Sequence, residues 1–185
     1  GIPQVTTTMT SAACSMDKVI TKILCERAGI SQAGWEMFYS SSLLKNVGGA
    51  ADRVEAHFEY PVFVKPVSAG SSVGVVKCSN RATLEAGLLE AARHDFKVLV
   101  EEFIDGSEVE VAVIGNSEPT ASLCGQIAPS REFYSYDSKY KDDSSELFIP
   151  AKISDEISDE VRNTAVKVYK TMECQGMARV DFFVC

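Results

Sequence analysis

Nowhere in these 185 residues does an apolar run approach the roughly 18 residues needed to cross a bilayer. Residues Gly1 to Thr10 carry no positive charge ahead of a hydrophobic segment, so neither a membrane span nor a secretory leader is expected. Basic residues are in deficit: 18 Lys and Arg stand against 26 Asp and Glu, a net charge of -8. Binding a phosphate backbone requires clustered cations, so nucleic acid is not expected as a partner. The six cysteines, Cys14, Cys25, Cys78, Cys124, Cys174 and Cys185, include no CxxC pair, and with only two histidines in the chain no zinc-ligand spacing occurs. They read as reduced, mostly buried thiols. There is no internal repeat and no low-complexity tract. What is present, 45% hydrophobic residues, suffices for one large domain or two small ones.

Periodicity places the elements. Val19, Ile20, Ile23 and Leu24 recur at helical spacing between Met16 and Ala28, with Ser15 as N-cap and Gly29 as the stop. Trp35 to Tyr39 reads as a strand, and the Ser- and Gly-rich stretch Ser40 to Ala51 as a loop or linker. The β-branched run Pro61 to Pro66 predicts a strand, followed by a Gly-Ser turn from Ala69 to Gly74 and a second strand at Val75-Val76. Ser79 is placed to cap a helix carrying Ala82, Leu84, Leu88, Leu89 and Ala92 on one stripe. Strands follow at Lys97 to Phe103, Val109 to Ile114 and Ala121 to Ile127, with a turn at Asp105-Gly106. Arg131 to Ser145, polar and tyrosine-rich, reads as a long ordered loop. Ser154 to Cys174 shows Ile157, Val161, Ala165, Val168 and Met172 on one helical face, ending at Gly176. In the closing strand, Ala178 to Val184, Arg179 and Asp181 share one face and Ala178, Val180 and Phe182 the other. Strands grouped with helices in two successive sets predict an α+β architecture of two small lobes with a cleft between them.

Three stretches can carry chemistry. Lys65 on a strand precedes the turn Gly70-Ser-Ser-Val-Gly74. Glycines let the backbone approach a phosphate, N–H groups and hydroxyls donate to its oxygens, and a lysine adds charge. The pattern is not the Walker type, which needs the lysine directly after the last glycine; read alone, the same residues also make an ordinary β-hairpin. Glu101, Glu102 and Glu108 follow an apolar strand and would ordinarily be solvated or ion-paired. Arg179 and Asp181 project together, a pairing that serves either as a structural salt bridge or as a magnesium ligand beside an arginine that stabilises an oxyanion.

Taken together, Gly1 to Val5, Ser15-Met-Asp-Lys18, Val62-Phe-Val-Lys65-Pro66, Gly70 to Gly74, Phe133 to Tyr140, Phe148-Ile-Pro-Ala151 and Gly176 to Asp181 resemble, in order and spacing, the D-alanine–D-alanine ligases of the ATP-grasp superfamily. The resemblance implies an ATP-grasp fold in which residues 1–48 end a central region with a helix at 16–28, residues 49–105 form a small lobe with the Gly/Ser lid loop, and residues 106–185 form a large lobe. It implies that Lys18 and Lys65 hold ATP phosphates under a lid made by Gly70, Ser71, Ser72 and Val73. Glu101, Phe103 and Ile104 would lie against adenine and Glu108 on the ribose. Lys139 would reach the transferred phosphate, Ser71 and Tyr140 would order the substrate loop, Arg179 would face the tetrahedral intermediate, and Asp181 would bind magnesium (or manganese). The implied activity is joining of two D-alanines through an acyl phosphate, for peptidoglycan precursors in a bacterial cytoplasm, by a homodimer.

The resemblance also implies that an N-terminal domain and the strand following Asp181, with further substrate and magnesium ligands, lie outside these residues, so the 185 residues alone are expected to be inactive or nearly so. Two positions depart from the family pattern: Val5 to Met9 lacks the usual glycines, and Gln126 stands where an acid is common. Tyr140 favours an amine acceptor over D-lactate. D-serine remains an alternative acceptor, and a non-catalytic nucleotide-binding module or another ATP-grasp carboxylate–amine ligase an alternative identity.

Overall fold

The computed structural model describes residues 5–128 and 146–185. The chain forms two compact units. The first comprises Met16–Lys22 and Gln32–Ile104; the second comprises Gly1–Ser15, Ile23–Ser31 and Asp105–Cys185. Each combines antiparallel strands with helices, the expected α+β class.

In the first unit, strands β1 (Trp35–Tyr39), β2 (Val62–Pro66), β3 (Val76–Cys78) and β4 (Lys97–Glu102) form an antiparallel sheet in the order β1-β4-β2-β3. Alternation along the strands sorts the faces. Val62, Val64, Val98 and Val100 are fully buried with Leu43, Ala51, Val54, Leu84 and Leu88 from helices α3 (Ser40–Leu43), α4 (Val47–His57) and α5 (Arg81–Ala91). Phe63, Lys65, Leu99 and Glu101 turn to the opposite face, where Leu99 packs with Val19, Val67, Trp35 and Met37.

Two expectations fail here. Ser40 to Ala51 is not a loop: it holds α3 and the start of α4. The Asn46 side chain caps α4 by accepting from the Gly49 N–H at 2.9 Å, and Ala50, Ala51 and Val54 bury one face of it. Composition pointed to a linker, but burial of that face outweighs the low helix propensity of Gly48 and Gly49. Likewise Asn80, not Ser79, caps α5. Its side chain accepts from Thr83 N–H at 3.0 Å while the Thr83 hydroxyl accepts from Asn80 N–H at 3.1 Å, a reciprocal capping box. Asn80→Ala should cost about 1 kcal/mol and lower the melting temperature by about 2–4 °C, measurable by circular dichroism.

The helix expected over 16–28 is observed as α2 (Lys18–Arg27), preceded by a separate α1 (Met9–Met16). Asp17, rather than Ser15, sets its start, accepting from Val19 and Ile20 N–H at 3.0 and 3.1 Å. Gly29, at φ +64°, ends it as expected, a conformation open to glycine without steric cost.

The second unit is built on β5 (Ser107–Ile114). Along one edge β5 pairs with the whole of β9 (Met177–Val184); along the other it meets β7 (Gly125–Ala128) and β6 (Thr120–Ala121), and β8 (Glu146–Phe148) joins β7. The strand expected over Ala121 to Ile127 is therefore broken. Ser122 hydroxyl accepts from Ala112 N–H at 3.1 Å and its own N–H donates to Ala112 carbonyl at 2.8 Å, which interrupts the ladder between the two pieces. Strand β8 was not foreseen, and the expected loop Arg131 to Ser145 lies outside the described residues. Helix α6 (Asp155–Thr171) begins at Ser154, whose hydroxyl accepts from Ile157 N–H at 3.3 Å. It buries Val161, Ala165 and Tyr169 against Val109, Val111 and Val113, and the buried Tyr169 hydroxyl donates to Gly115 carbonyl at 2.7 Å. All six cysteines are free thiols; Cys25, Cys78, Cys124 and Cys174 are buried, and burial pushes the Cys78 pKa up to about 11.

Candidate functional site

The open face of the first unit gathers most of the sequence-predicted nucleotide residues. Strand alternation that buries Val62 and Val64 sends Lys65 outward, and the same alternation in β4 brings Glu101 to it. Phe63 is the residue directly across from Glu101, so Lys65 and Glu101 are diagonal neighbours, close enough for their long side chains to meet. Lys65 pairs with one oxygen of Glu101, and Lys22 from α2 with the other at 2.6 Å. Glu101 is only 12% exposed; burial raises its pKa, but the charges of Lys65 and Lys22 and their hydrogen bonds outweigh this and hold the carboxyl below its ordinary value.

Lys18 lies at the N-terminus of α2, where its ammonium donates to the carbonyls of Pro66, Val67 and Ala69 at 3.3, 2.9 and 2.6 Å, on the segment that enters the Gly70 loop. Burial, and after it the charge of Lys65, lowers its pKa. Phe103 follows β4, its ring 6.2 Å from that of Phe63, with the Lys77 ammonium 5.1 Å above it. Ile104 is the last residue of the unit.

Residues 70–74 lie in the connection from β2 to β3, which pair antiparallel, so the hairpin reading is geometrically correct. Ser71 and Ser72 both adopt left-handed backbone, at φ 51° and 59°, and Gly74 follows at φ +69°. A non-glycine residue held there costs of order 1–3 kcal/mol, and such strain concentrates at ligand clamps. Gly74 has a further steric reason: a Cβ would lie 2.7 Å from Pro66 Cγ. Gly70, by contrast, faces open space.

In the second unit, Glu108, Arg179 and Asp181 share the open face of the β5–β9 pair. Glu110 sits directly opposite Asp181, and Ala112 opposite Arg179. Arg179 grips Asp181 with two N–H groups at 2.7 and 2.9 Å and reaches Glu110 with a third at 3.0 Å. The bond to Asp181 is the main cause of its raised pKa. These carboxylates offer hard oxygen donors of the kind magnesium takes, one or two at a time together with substrate phosphates. Both Asp181 oxygens are engaged by Arg179, and among the described residues no group of three His, Cys, Asp or Glu side chains is placed to hold a metal by itself. Lys139 and Tyr140 lie outside the described residues. Gln126 accepts from Lys152 N–H at 2.9 Å and donates to Ser107 hydroxyl at 3.3 Å, so this departure from the family pattern is well satisfied. A cavity of about 410 Å³ lined by residues such as Ile30, Val161, Thr164 and Phe182 contains none of the predicted site residues.

Sequence reasoning missed Lys22, Lys97 and Lys77. Lys22 had a visible signal: it stands four residues after Lys18, one helical turn away on the same face. Lys97, 9% exposed and paired with Asp17, had none at that level, because its partner is 80 residues distant.

A sequence model of the family described as "D-ala D-ala ligase C-terminus" matches residues 24–185. The D-alanine--D-alanine ligase of Acetivibrio thermocellus is 49% identical over 184 residues, covering 100% of this chain and 49% of that protein. That of Clostridium acetobutylicum is 44% identical over 184 residues, covering 100% and 54%. Among solved structures, the VanG D-Ala:D-Ser ligase from Enterococcus faecalis superposes with a TM-score of 0.86 at 38% identity, over 99% of this chain and 52% of that one. The D-alanine-D-alanine ligase from Coxiella burnetii does so at 0.78 and 29%, over 99% and 48%. The chain thus spans about half the length of the curated relatives it matches. Its backbone follows these ligases throughout, the ATP-grasp fold that the motifs implied. The family match takes in both Lys65 and Asp181, the centres of the two charged faces: the chain belongs to the D-ala D-ala ligase C-terminus family.

Proposed function

We propose that the protein to which these residues belong joins two D-alanines in an ATP-dependent reaction, for peptidoglycan precursors in the bacterial cytoplasm, and acts as a homodimer. The observation that carries this reading is Lys18, whose ammonium feels the charge of Lys65 and donates to Ala69 carbonyl where the chain enters the left-handed Ser71-Ser72 turn, in a chain of this family. In the first step a D-alanine carboxylate oxygen forms a bond to the γ-phosphorus of ATP, and the bond to ADP breaks. In the second, the amine of another D-alanine attacks the acyl carbon, phosphate leaves, and the amine loses a proton. Lys18, Lys65 and the N–H groups and hydroxyls of residues 70–73 hold the phosphates; closure of that loop excludes water that would hydrolyse the acyl phosphate. Phe103, Ile104 and the backbone at Glu101 bound the adenine, Glu108 takes the ribose, and Lys139 reaches the transferred phosphate. Asp181 would hold magnesium or manganese, which would supply charge neutralisation at the phosphates. Arg179, once released from Asp181, faces the developing oxyanion, while Ser71 and Tyr140 order the substrate loop.

A second acceptor, D-serine, is favoured by the likeness to the D-Ala:D-Ser ligase. Phosphate release with ATP and magnesium, by a protein of the relatives' full length carrying these residues, separates the readings. Release with D-alanine alone, reduced at least about tenfold by Tyr140→Phe, is expected. Release that requires D-serine would assign the other acceptor, and no release with D-alanine, D-serine or D-lactate would leave a nucleotide-binding relative without turnover.

A further inference from the structure

The cluster around Glu101 contains one more cation than a simple ion pair requires. Glu101 has two oxygens, and each is taken by a different lysine: Lys22 at 2.6 Å on one, Lys65 on the other. All three groups are largely withdrawn from water, with side chains 10%, 12% and 26% exposed for Lys22, Glu101 and Lys65. Two ammonium groups around one carboxylate leave an excess of one positive charge about Glu101, and in a setting where water screens it only in part that excess favours an approaching anion. Lys22 is fixed from two sides. Its ammonium also donates to the Ala33 carbonyl at 3.3 Å, and its own carbonyl accepts from the Gln32 amide at 2.8 Å. Lys65 is the more exposed of the two and lies nearer Lys18, whose ammonium feels its charge.

We infer that Lys22 is a positioning residue for the nucleotide: by satisfying Glu101 it leaves Lys65 free to exchange the carboxylate for a phosphate oxygen. Without Lys22, Glu101 has a single cation left, and Lys65 is held in a neutral, largely buried pair whose breaking strands a carboxylate away from water. Lys22 itself does not touch the nucleotide. This inference rests on the nucleotide reading of the Lys18–Lys65 face.

The experiment is direct binding by calorimetry, in a protein of the relatives' full length, with ATP and with adenosine as the uncharged comparison. Lys22→Met should weaken ATP binding about tenfold or more and leave adenosine binding unchanged, because only the phosphates draw on Lys65. Lys22→Arg should restore most of the loss. The decisive variant is Lys22→Met combined with Glu101→Gln, which removes the anion as well and returns the excess positive charge: it should bind ATP more tightly than Lys22→Met alone. A merely structural Lys22 would give the opposite, with ATP and adenosine weakened alike and the double variant worse than the single; either result, or unchanged ATP affinity in Lys22→Met, overturns the inference. Failure of the unsubstituted protein to bind ATP would instead overturn the nucleotide reading itself.

Discussion

Lys65→Met, in a protein of the relatives' full length, should lower kcat/KM for D-alanine-dependent phosphate release by about thirty- to a thousandfold, corresponding to about 2–4 kcal/mol of lost charge-assisted binding at the transferring phosphates. The fold should survive. Methionine preserves an unbranched apolar stem beside the Phe63 ring, over which the Lys65 ammonium lies at 5.7 Å, and Glu101 keeps Lys22 as its partner at 2.6 Å, so no buried carboxylate is orphaned. Steady-state kinetics paired with a thermal melt test both halves. Activity within about twofold of the parent would remove Lys65 from the phosphate site, whereas a collapse of the melting temperature would make it a structural cation.

The largest stability effect should come from the opposite face of the same sheet. Leu88 is fully buried among Val62, Val64, Leu84 and Ala91, with no exposed surface. Leu88→Ala removes three carbons from a close-packed interior and leaves a void, at a cost of about 2–5 kcal/mol. That is a large share of the roughly 5–15 kcal/mol a domain has in all. The melting temperature should fall by on the order of 10 °C, while residual folded protein binds ATP with unchanged affinity, because the lysines lie across the sheet from the void. A loss under about 1 kcal/mol in urea titration would mean that α4 and α5 close over the gap.

Legibility followed the range of the interaction. Elements whose signal lies within a dozen residues were read from the sequence: β2 from its β-branched run, α6 from Ser154 and its apolar stripe, and the alternation of β9 that puts Arg179 and Asp181 side by side. Where two local signals conflicted, the reading went wrong. Gly48 and Gly49 suggested a linker, yet Asn46 and the buried stripe Ala50, Ala51 and Val54 make a helix. Ser79 and Asn80 are both cap residues by type, and only the position of the Thr83 hydroxyl decides between them. The break at Ser122 depends on hydrogen bonds to Ala112, only ten residues away but on the neighbouring strand, and no periodicity of the sequence marks them. At the site, Lys65 and the Gly70 loop were legible as a local motif. The sharing of Glu101 between Lys65 and Lys22 was not, since it joins residues 36 and 79 positions apart in the chain, a distance at which single-sequence patterns are silent.

The composition of the first unit has one more effect. Its sheet and covering helices come from Gln32–Ile104, but Asp17, Lys18 and Lys22 arrive on the separate stretch Met16–Lys22. Two of the cations on the open face are thus carried on a tether. Entropy sets little against such an arrangement, because each doubling of a closed loop adds only about 0.6 kcal/mol. Loss of the tether is a different matter: a cut that freed it would uncover Leu99 and Val67 where Val19 packs on them, and leave Lys97 without its Asp17 partner and Glu101 bound to Lys65 alone. The strand pairing of this unit is thus written in its contiguous body, while its charged face and part of the packing beneath it depend on seven residues delivered from upstream.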